Sequence, residues 1–567
     1  MFFPFKIYRR NFFLIVSFLL VAFGQPAWSW KVSIIASISG FALFWRVMLD
    51  TPQSIHRFFI ATGWYISIQL VQLSWMASHP YIYIYGVMFL CAWIMGLQFG
   101  LLALLMTPRL FTHFSRLLAV TALWVIMEWS RLFILSGLAF NPVGLALTGT
   151  IYSIQFASIG GIYFLSFWVI LTNLMVLRAW FSHFRFKYVM SCCIFALIPY
   201  IYGYAHFHWH IKAMQTSNPT HPSTISTILV QTAFPVEERM GFMSAEEARQ
   251  FIMGEWKRVL SLVYKHIHRS IDLIVLPEYV VPYGTFHPIF PLDHTKEVFS
   301  DIFGAYYLKV LPHLKEPYAA YIHTDQGPKW LVSNAFFAQA LANIFQADVV
   351  VGLEDSQWDE QHKRCSYSSA FHFVPQHQQA YRYEKRVLVP MGEYIPFEFC
   401  RNLAAQYGIQ GSFTAGKTAK VFSGKVVPFS PSICYEEMYG DLIREGRAKG
   451  AELFINLTSD AWFPSSKLPQ QHFDHARLRT VENGVPLARA CNTGVTVGVD
   501  SLGQIVKQLG EDSMQSQWAA GALHLDLPIY HYPTIYTQFG DSLILGICLG
   551  LILVGIGFAI GRPLLKK

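Results

Sequence analysis

The chain has 567 residues, 53% of them hydrophobic and only 14% charged, against about 25% charge in soluble domains, which excludes an all-soluble protein. The apolar excess lies in residues 1–210 and 541–561, and the stretch between reads as a mixed globular sequence. The net charge of +8 sits largely in short loops between apolar runs, a topological signal and not a basic stripe for nucleic acid.

A bilayer core of about 30 Å takes about 20 apolar residues as helix. Seven N-terminal segments fit approximately, 11–27, 33–50, 57–77, 81–106, 116–138, 150–177 and 188–206, and 541–561 is an eighth. The first has the flanks of a signal peptide, with Lys6, Arg9 and Arg10 ahead of a short apolar stretch. A retained helix is preferred because it gives the later spans their alternation. Arg46 and Arg57, then Arg109 and Arg116, then Arg178, Arg185 and Lys187 fall on alternate loops. Arg562, Lys566 and Lys567 follow the last span, and Lys31 is the main exception. Basic loops face the cytoplasm, so seven crossings place the globular stretch outside it. The expected layout is a seven-span membrane domain over 1–210, an extracytoplasmic domain over 222–530 and a transmembrane helix over 541–561.

Within 222–530, the runs 225–231, 271–278, 347–353, 367–374, 425–434, 452–457 and 486–499 have strand composition. Helical patterns cover 244–267, 437–449 and 470–483, and "DSLGQ" closes a hairpin. Strands alternating with helices predict an α/β domain. Residues 288–345 are less regular and read as an insertion.

Cys91, Cys192, Cys193 and Cys548 lie in apolar spans and read as small core residues. Cys365, Cys400, Cys434 and Cys491 lie in the globular stretch, where pairing among Cys365, Cys400 and Cys491 is left open. No CxxC pair or Cys/His ligand spacing occurs, so no metal or cofactor is expected. His472 and His475 share a helical face with no third ligand near them in sequence. Glu128 and Arg131 stand near a span's end, either functional intramembrane charges or a helix-stabilising pair. "GLAFNPVG", 137–144, breaks a helix at Pro142 and is a candidate for a lipid-facing floor.

Three residues stand where strands or strand-like runs end: Glu278 in "LIVLPE", Lys385 in "YRYEKRVLVPMGEY" and Cys434 in "VPFSPSIC". Singly, each has a bland reading as strand end, solvated charge or core thiol. Jointly they make a chemistry. A thiol with a free pKa of about 8.5 needs a base, and a desolvated carboxylate can serve as one. A buried ammonium, with the backbone N–H after the cysteine, can stabilise an oxyanion.

The motifs "LPEY", "EKRVLVPMGEYIPFE", "ICYEE" and "SDAWF" resemble the Glu-Lys-Cys pattern of the nitrilase, or carbon-nitrogen hydrolase, superfamily. With the spans around them, the whole chain resembles the apolipoprotein N-acyltransferase family. The resemblance implies a polytopic α-helical membrane domain plus an α/β nitrilase-like αββα sandwich. It implies Glu278 as general base and acid, Lys385 as oxyanion stabiliser and Cys434 as nucleophile. Glu393, Tyr435 and Glu436 match supporting residues, and Trp462 an aromatic at the substrate entrance. The implied partners are a phospholipid acyl donor, a diacylated lipoprotein acceptor and the lipid bilayer, with the enzyme acting as a monomer in the bacterial inner membrane. Ser459 and Pro464 depart from the family's Asn-Asp-Ala-Trp-Phe-Gly, and Met240 stands about where a mobile tryptophan is expected. The aromatic stretch 279–291 is a candidate shield and gate. Competing readings are a membrane-anchored carbon-nitrogen hydrolase using water as acceptor, and a transporter or lipid-binding protein with an incidental triad. The second predicts charges deep in several spans, and few occur.

Overall fold

The computed structural model describes residues 3–216, 223–234, 244–324, 327–358, 360–362, 364–377, 379–406, 413–510 and 516–560. Met240, Arg562, Lys566 and Lys567 lie outside them. The chain divides into two compact units, one of residues 1–217, 465–484 and 533–567, the other of 218–464 and 485–532. Residues 465–484, read from sequence as part of the 222–530 domain, therefore group with the helical unit.

In the first unit helices occupy all eight expected stretches, with shifted ends. Among the described residues four are long and apolar enough to cross a membrane by length and composition, Trp30–Met48, Tyr83–Leu105, Ser153–Phe181 and Phe186–Thr216. Of the other expected spans, Phe114–Ser130 has 17 residues, and Ser54–Gln72 buries Arg57, Gln69 and Gln72. Trp30–Met48 contains a π-helical turn, Ala36–Gly40, which leaves backbone groups out of the regular ladder. Asn173 fills the gap, accepting from Phe41 and Ala42 N–H at 2.9 and 3.1 Å and donating to Ser37 O at 2.8 Å. Ala157–Phe181 breaks at Gly160–Gly161, where Gly161 has φ 67°, and Glu482 Oε1 accepts the Ile162 N–H at 2.9 Å. In the 137–144 stretch Asn141, Pro142 and Gly144 are buried, and Asn141 joins an amide chain with Gln25 and Gln69.

The second unit is built on two face-to-face sheets. One has the strand order Gly521–Pro528, Thr224–Gln231, Leu273–Val275, Asp348–Trp358, Arg364–Phe373, Tyr381–Glu384; the other runs Ile505–Gln508, Val497–Val499, Leu487–Cys491, Leu453–Thr458, Phe429–Ile433. Each contains three parallel strands, flanked by antiparallel ones on both sides in the first sheet and on one side in the second, where Phe429–Ile433 is the edge. Alternation explains the near-continuous apolar runs: Ile225, Leu229, Leu273, Val275 and Val350 point into the core shared with the other sheet. Ile228, Val230, Ile274, Val349 and Val351 point into a core under helices Ala245–Tyr264 and Asn334–Phe345. Strands covered on both faces lose the polar half of their pattern. Gly440–Ala448 covers the second sheet so closely that a Cβ at Gly446 would lie 2.3 Å from Ser430 Oγ. The result is the αββα sandwich.

The 288–345 stretch is more regular than its sequence suggests. It forms helix Leu292–Phe303 and a small sheet of Phe290–Pro291, Gly327–Val332 and Ala319–Thr324, then helix Asn334–Phe345, buried along its whole length. Its last helix is therefore part of the core, not an appendage.

Candidate active site

Glu278 and Cys434 each follow a parallel strand of a different sheet, Leu273–Val275 at the centre of one and Phe429–Ile433 at the edge of the other, at the carboxyl ends where α/β folds place chemistry. Leu276 N–H donates to Val350 O at 2.8 Å and Gly352 N–H to Pro277 O at 3.1 Å, which carries the chain past its strand. Gly352 is required here, since a Cβ would stand 2.5 Å from Glu278 Cα. Lys385 leaves Tyr381–Glu384 with its N–H on Ser368 O at 2.9 Å.

The three side chains meet in the buried interior. Lys385 Nζ donates to Glu278 Oε1 at 3.0 Å and to Glu393 Oε1 at 2.6 Å, with Lys385 only 1% exposed. Glu278 and Cys434 also act on each other's ionisation. Glu393 reaches Lys385 because "LVPMGEY" folds back on itself: Glu393 N–H donates to Val389 O at 2.9 Å, and its Oε2 accepts the Val389 N–H at 2.8 Å. Met391 takes φ 64° at the bend.

Burial raises the Glu278 pKa above the ordinary carboxylate value, against the lowering pull of Lys385 and with help from Glu393. Burial disfavours the Lys385 ammonium, yet Glu278 and Glu393 hold its pKa well above the usual lysine value. The Cys434 thiol is pushed well up by burial and then by Glu278, with Lys385 opposing. The resting cluster is thus a thiol beside a proton-avid carboxylate and a permanent cation.

Cys434 is half-buried and has φ 51°, a left-handed conformation that exposes a side chain at a tight turn and that a non-glycine residue holds only under constraint. Glu436 supplies one constraint. It is fully buried and accepts from Ile433 N–H at 2.8 Å, Arg386 N–H at 2.6 Å and Tyr383 Oη at 2.9 Å. One carboxylate therefore ties the Cys434 turn to the segment bearing Lys385. Tyr435 is buried, its ring edge-on to Tyr439 at 5.2 Å.

Trp462 is half-buried on the loop after Leu453–Thr458, whose end neighbours Cys434 through the Leu457–Ile433 pairing. The 279–291 stretch is anchored at several points. Val280, Val281 and Phe290 are buried, Thr285 N–H and Oγ1 donate to Glu354 O, and Asn334 Nδ2 holds the carbonyls of Pro282 and Tyr283 at 3.2 Å. Cys400 and Cys491 are thiols, not disulfide partners. Sequence reading missed Tyr383, Asp460 and the Glu437–Arg489 pair; the available signal was an arginine inside the otherwise small, apolar strand "LARAC".

A family model described as the apolipoprotein N-acyltransferase N-terminal domain matches residues 17–175, and a carbon-nitrogen hydrolase model matches 250–523. The apolipoprotein N-acyltransferase of Chlamydia caviae is 32% identical over 97% of this chain and 98% of its own. That of Chlamydia pneumoniae is 30% identical over 98% and 99%, and that of Rickettsia bellii 28% over 76% and 74%. Among solved structures, Nit3 of Saccharomyces cerevisiae, from the nitrilase superfamily, matches 55% of this chain and 93% of its own at 19% identity and TM-score 0.33.

Proposed function

Since the chain belongs to the apolipoprotein N-acyltransferase family, we propose that it moves an acyl chain from a phospholipid to the α-amino group of the N-terminal diacylglyceryl-cysteine of apolipoproteins, through a thioester on Cys434. The protein is a membrane enzyme, and the expected setting is the bacterial inner membrane with the catalytic unit on the periplasmic side, acting as a monomer.

In the first step Glu278 takes the thiol proton as Cys434 Sγ attacks the ester carbonyl. The C–S bond forms, the carbonyl oxygen gains charge beside the Lys385 ammonium, and the C–O bond then breaks. Glu278 gives the proton to the departing lysophospholipid oxygen. In the second step the lipoprotein amine attacks the thioester and yields its proton to Glu278. The C–N bond replaces C–S, and the proton returns to sulfur. Such a two-stage exchange has ping-pong kinetics.

The observation that carries this reading is the Lys385 ammonium held between Glu278 and Glu393, with Cys434 close enough to act electrostatically with Glu278 and Lys385. The apolar spans support a lipid donor: a chain of about 16 carbons forfeits about 13 kcal/mol in water at about 0.8 kcal/mol per CH₂. Intact-mass measurement after incubation with phospholipid tests it. The expected result is an acyl adduct on Cys434, released by hydroxylamine and transferred to a diacylated lipopeptide. Absence of the adduct, or its discharge to free fatty acid with lipopeptide present, would favour other chemistry.

A further inference from the structure

The turn Cys434–Met438 is gripped from two sides. Glu436 faces the Lys385 segment, whereas Glu437 faces the second sheet and meets Arg489. Arg489 Nε lies 3.1 Å from both Glu437 oxygens and Nη2 lies 2.7 Å from Oε1. Nη1 donates to Cys491 Sγ at 2.8 Å and to Val495 O at 2.9 Å. Every nitrogen of the guanidinium is engaged, and both residues are buried.

The strand register explains the reach. Ser432 pairs with Asn456 and Asn456 with Arg489, so the three form one row across the parallel strands, with Asn456 Nδ2 on Ser432 Oγ at 3.1 Å. Cys434 follows that row by two residues. Asp460 completes the surroundings. Its N–H donates to Thr493 O, and its carboxylate packs where a Cβ on Gly494 (φ 132°) would come within 2.7 Å. Asp460 acts electrostatically on both Cys434 and Arg489. A buried ion pair gains little stability over apolar packing, so a bidentate clamp at this place calls for another role.

We infer that Arg489 is a positioning residue for attack by Cys434: forked onto Glu437, it holds the turn that keeps the sulfur on Glu278, and it offsets the Glu437 and Asp460 carboxylates behind the thiolate. This rests on the thioester reading above. Lysine at 489 would keep the charge but lose the planar fork, and displacement of a reacting atom by about 1 Å costs about 100-fold in rate.

The test is single-turnover acyl-adduct formation by Arg489→Lys and Glu437→Gln in full-length, detergent-solubilised enzyme at varied phospholipid. Amplitude reports the folded fraction, and the rate constant reports positioning. The expected result is near-wild-type amplitude and half-saturating phospholipid, with the Arg489→Lys rate constant down about 100-fold and a smaller loss in Glu437→Gln. Iodoacetamide alkylation of Cys434, which needs no lipid, is expected to slow in both. A loss confined to amplitude and Tm, or unchanged rate constants and alkylation, would overturn the inference. Wild-type enzyme that alkylates normally yet forms no adduct would overturn the thioester reading instead.

Discussion

The two units bury ionic groups differently. In the helical unit, Arg131 lies 3.9 Å from Glu128 and Arg479 2.7 Å from Glu482, each pair three residues apart. In the catalytic unit, Lys385 meets Glu278 from 107 residues away and Arg489 meets Glu437 from 52. A local pair forms whenever its helix turn forms, so it reports on helix structure. A distant pair exists only if sheets, turns and loops all arrive together, so a buried ion pair of that kind marks a place where geometry is being specified. Away from its charges the helical unit relies on neutral amides: Gln25 to Asn141, Asn141 to Gln69, Gln69 to Gln72, at 3.2–3.3 Å. Amides cost less to bury than ions.

If distant pairs carry function and local ones carry helix structure, removals in the two units should separate. The largest effect is expected from Cys434→Ala, which should form no acyl adduct and no N-acylated lipopeptide while folding normally; product from this variant would end the site assignment. Lys385→Met comes next. It leaves Glu278 and Glu393 facing each other unneutralised, a defect of about 3–5 kcal/mol, and should lose oxyanion support worth about 100-fold or more in acylation rate, read by single-turnover mass spectrometry beside thermal unfolding.

Glu278→Gln should abolish acylation and change the pH dependence of stability. The folded pKa of Glu278 is raised, so the stability linked to this group is fully present below the ordinary carboxylate pKa and lost as pH rises through the folded value. Near neutral pH the variant should therefore unfold a few degrees above wild type, and the gain should vanish in acid. If Glu278 is the base, as proposed, wild-type acylation should fall on acidification with a midpoint above the ordinary carboxylate range. Glu436→Gln keeps most of its shape but weakens the hydrogen bonds to Ile433 and Arg386, and about a tenfold slower acylation is expected for the loss of about 1.4 kcal/mol. The smallest effect is expected from Arg131→Gln, a local pair: adduct formation within a few-fold of wild type, with lower thermal stability. A loss as large as that of Lys385→Met would erase the contrast between the units.

Much of the molecule was legible from residue order. Helices lie on every expected apolar stretch, since an apolar run of that length has few other ways to satisfy its backbone, and the strands 224–231, 348–358 and 453–458 fall where β-rich runs predicted them. Residues 288–345 were misread because a helix buried on all sides, such as Asn334–Phe345, loses the polar face that makes a helix recognisable. The edge strand Gly521–Pro528 escaped because its pairing with Thr224–Gln231 joins opposite ends of the domain.

Sequence alone determined the kinds of group the proposed chemistry requires, a thiol, a carboxylate and an ammonium each at a strand's end, and the apolar runs that call for lipid. Only tertiary structure decided how they face one another: that Glu393 shares the Lys385 ammonium with Glu278, that Glu436 and Glu437 turn to opposite sides of one left-handed cysteine, and that residues 465–484 belong with the helices. The reason is physical. Local propensity and hydrophobic pattern are written in neighbouring residues, whereas the partner of a buried charge is chosen by whatever the folded chain brings within about 3 Å.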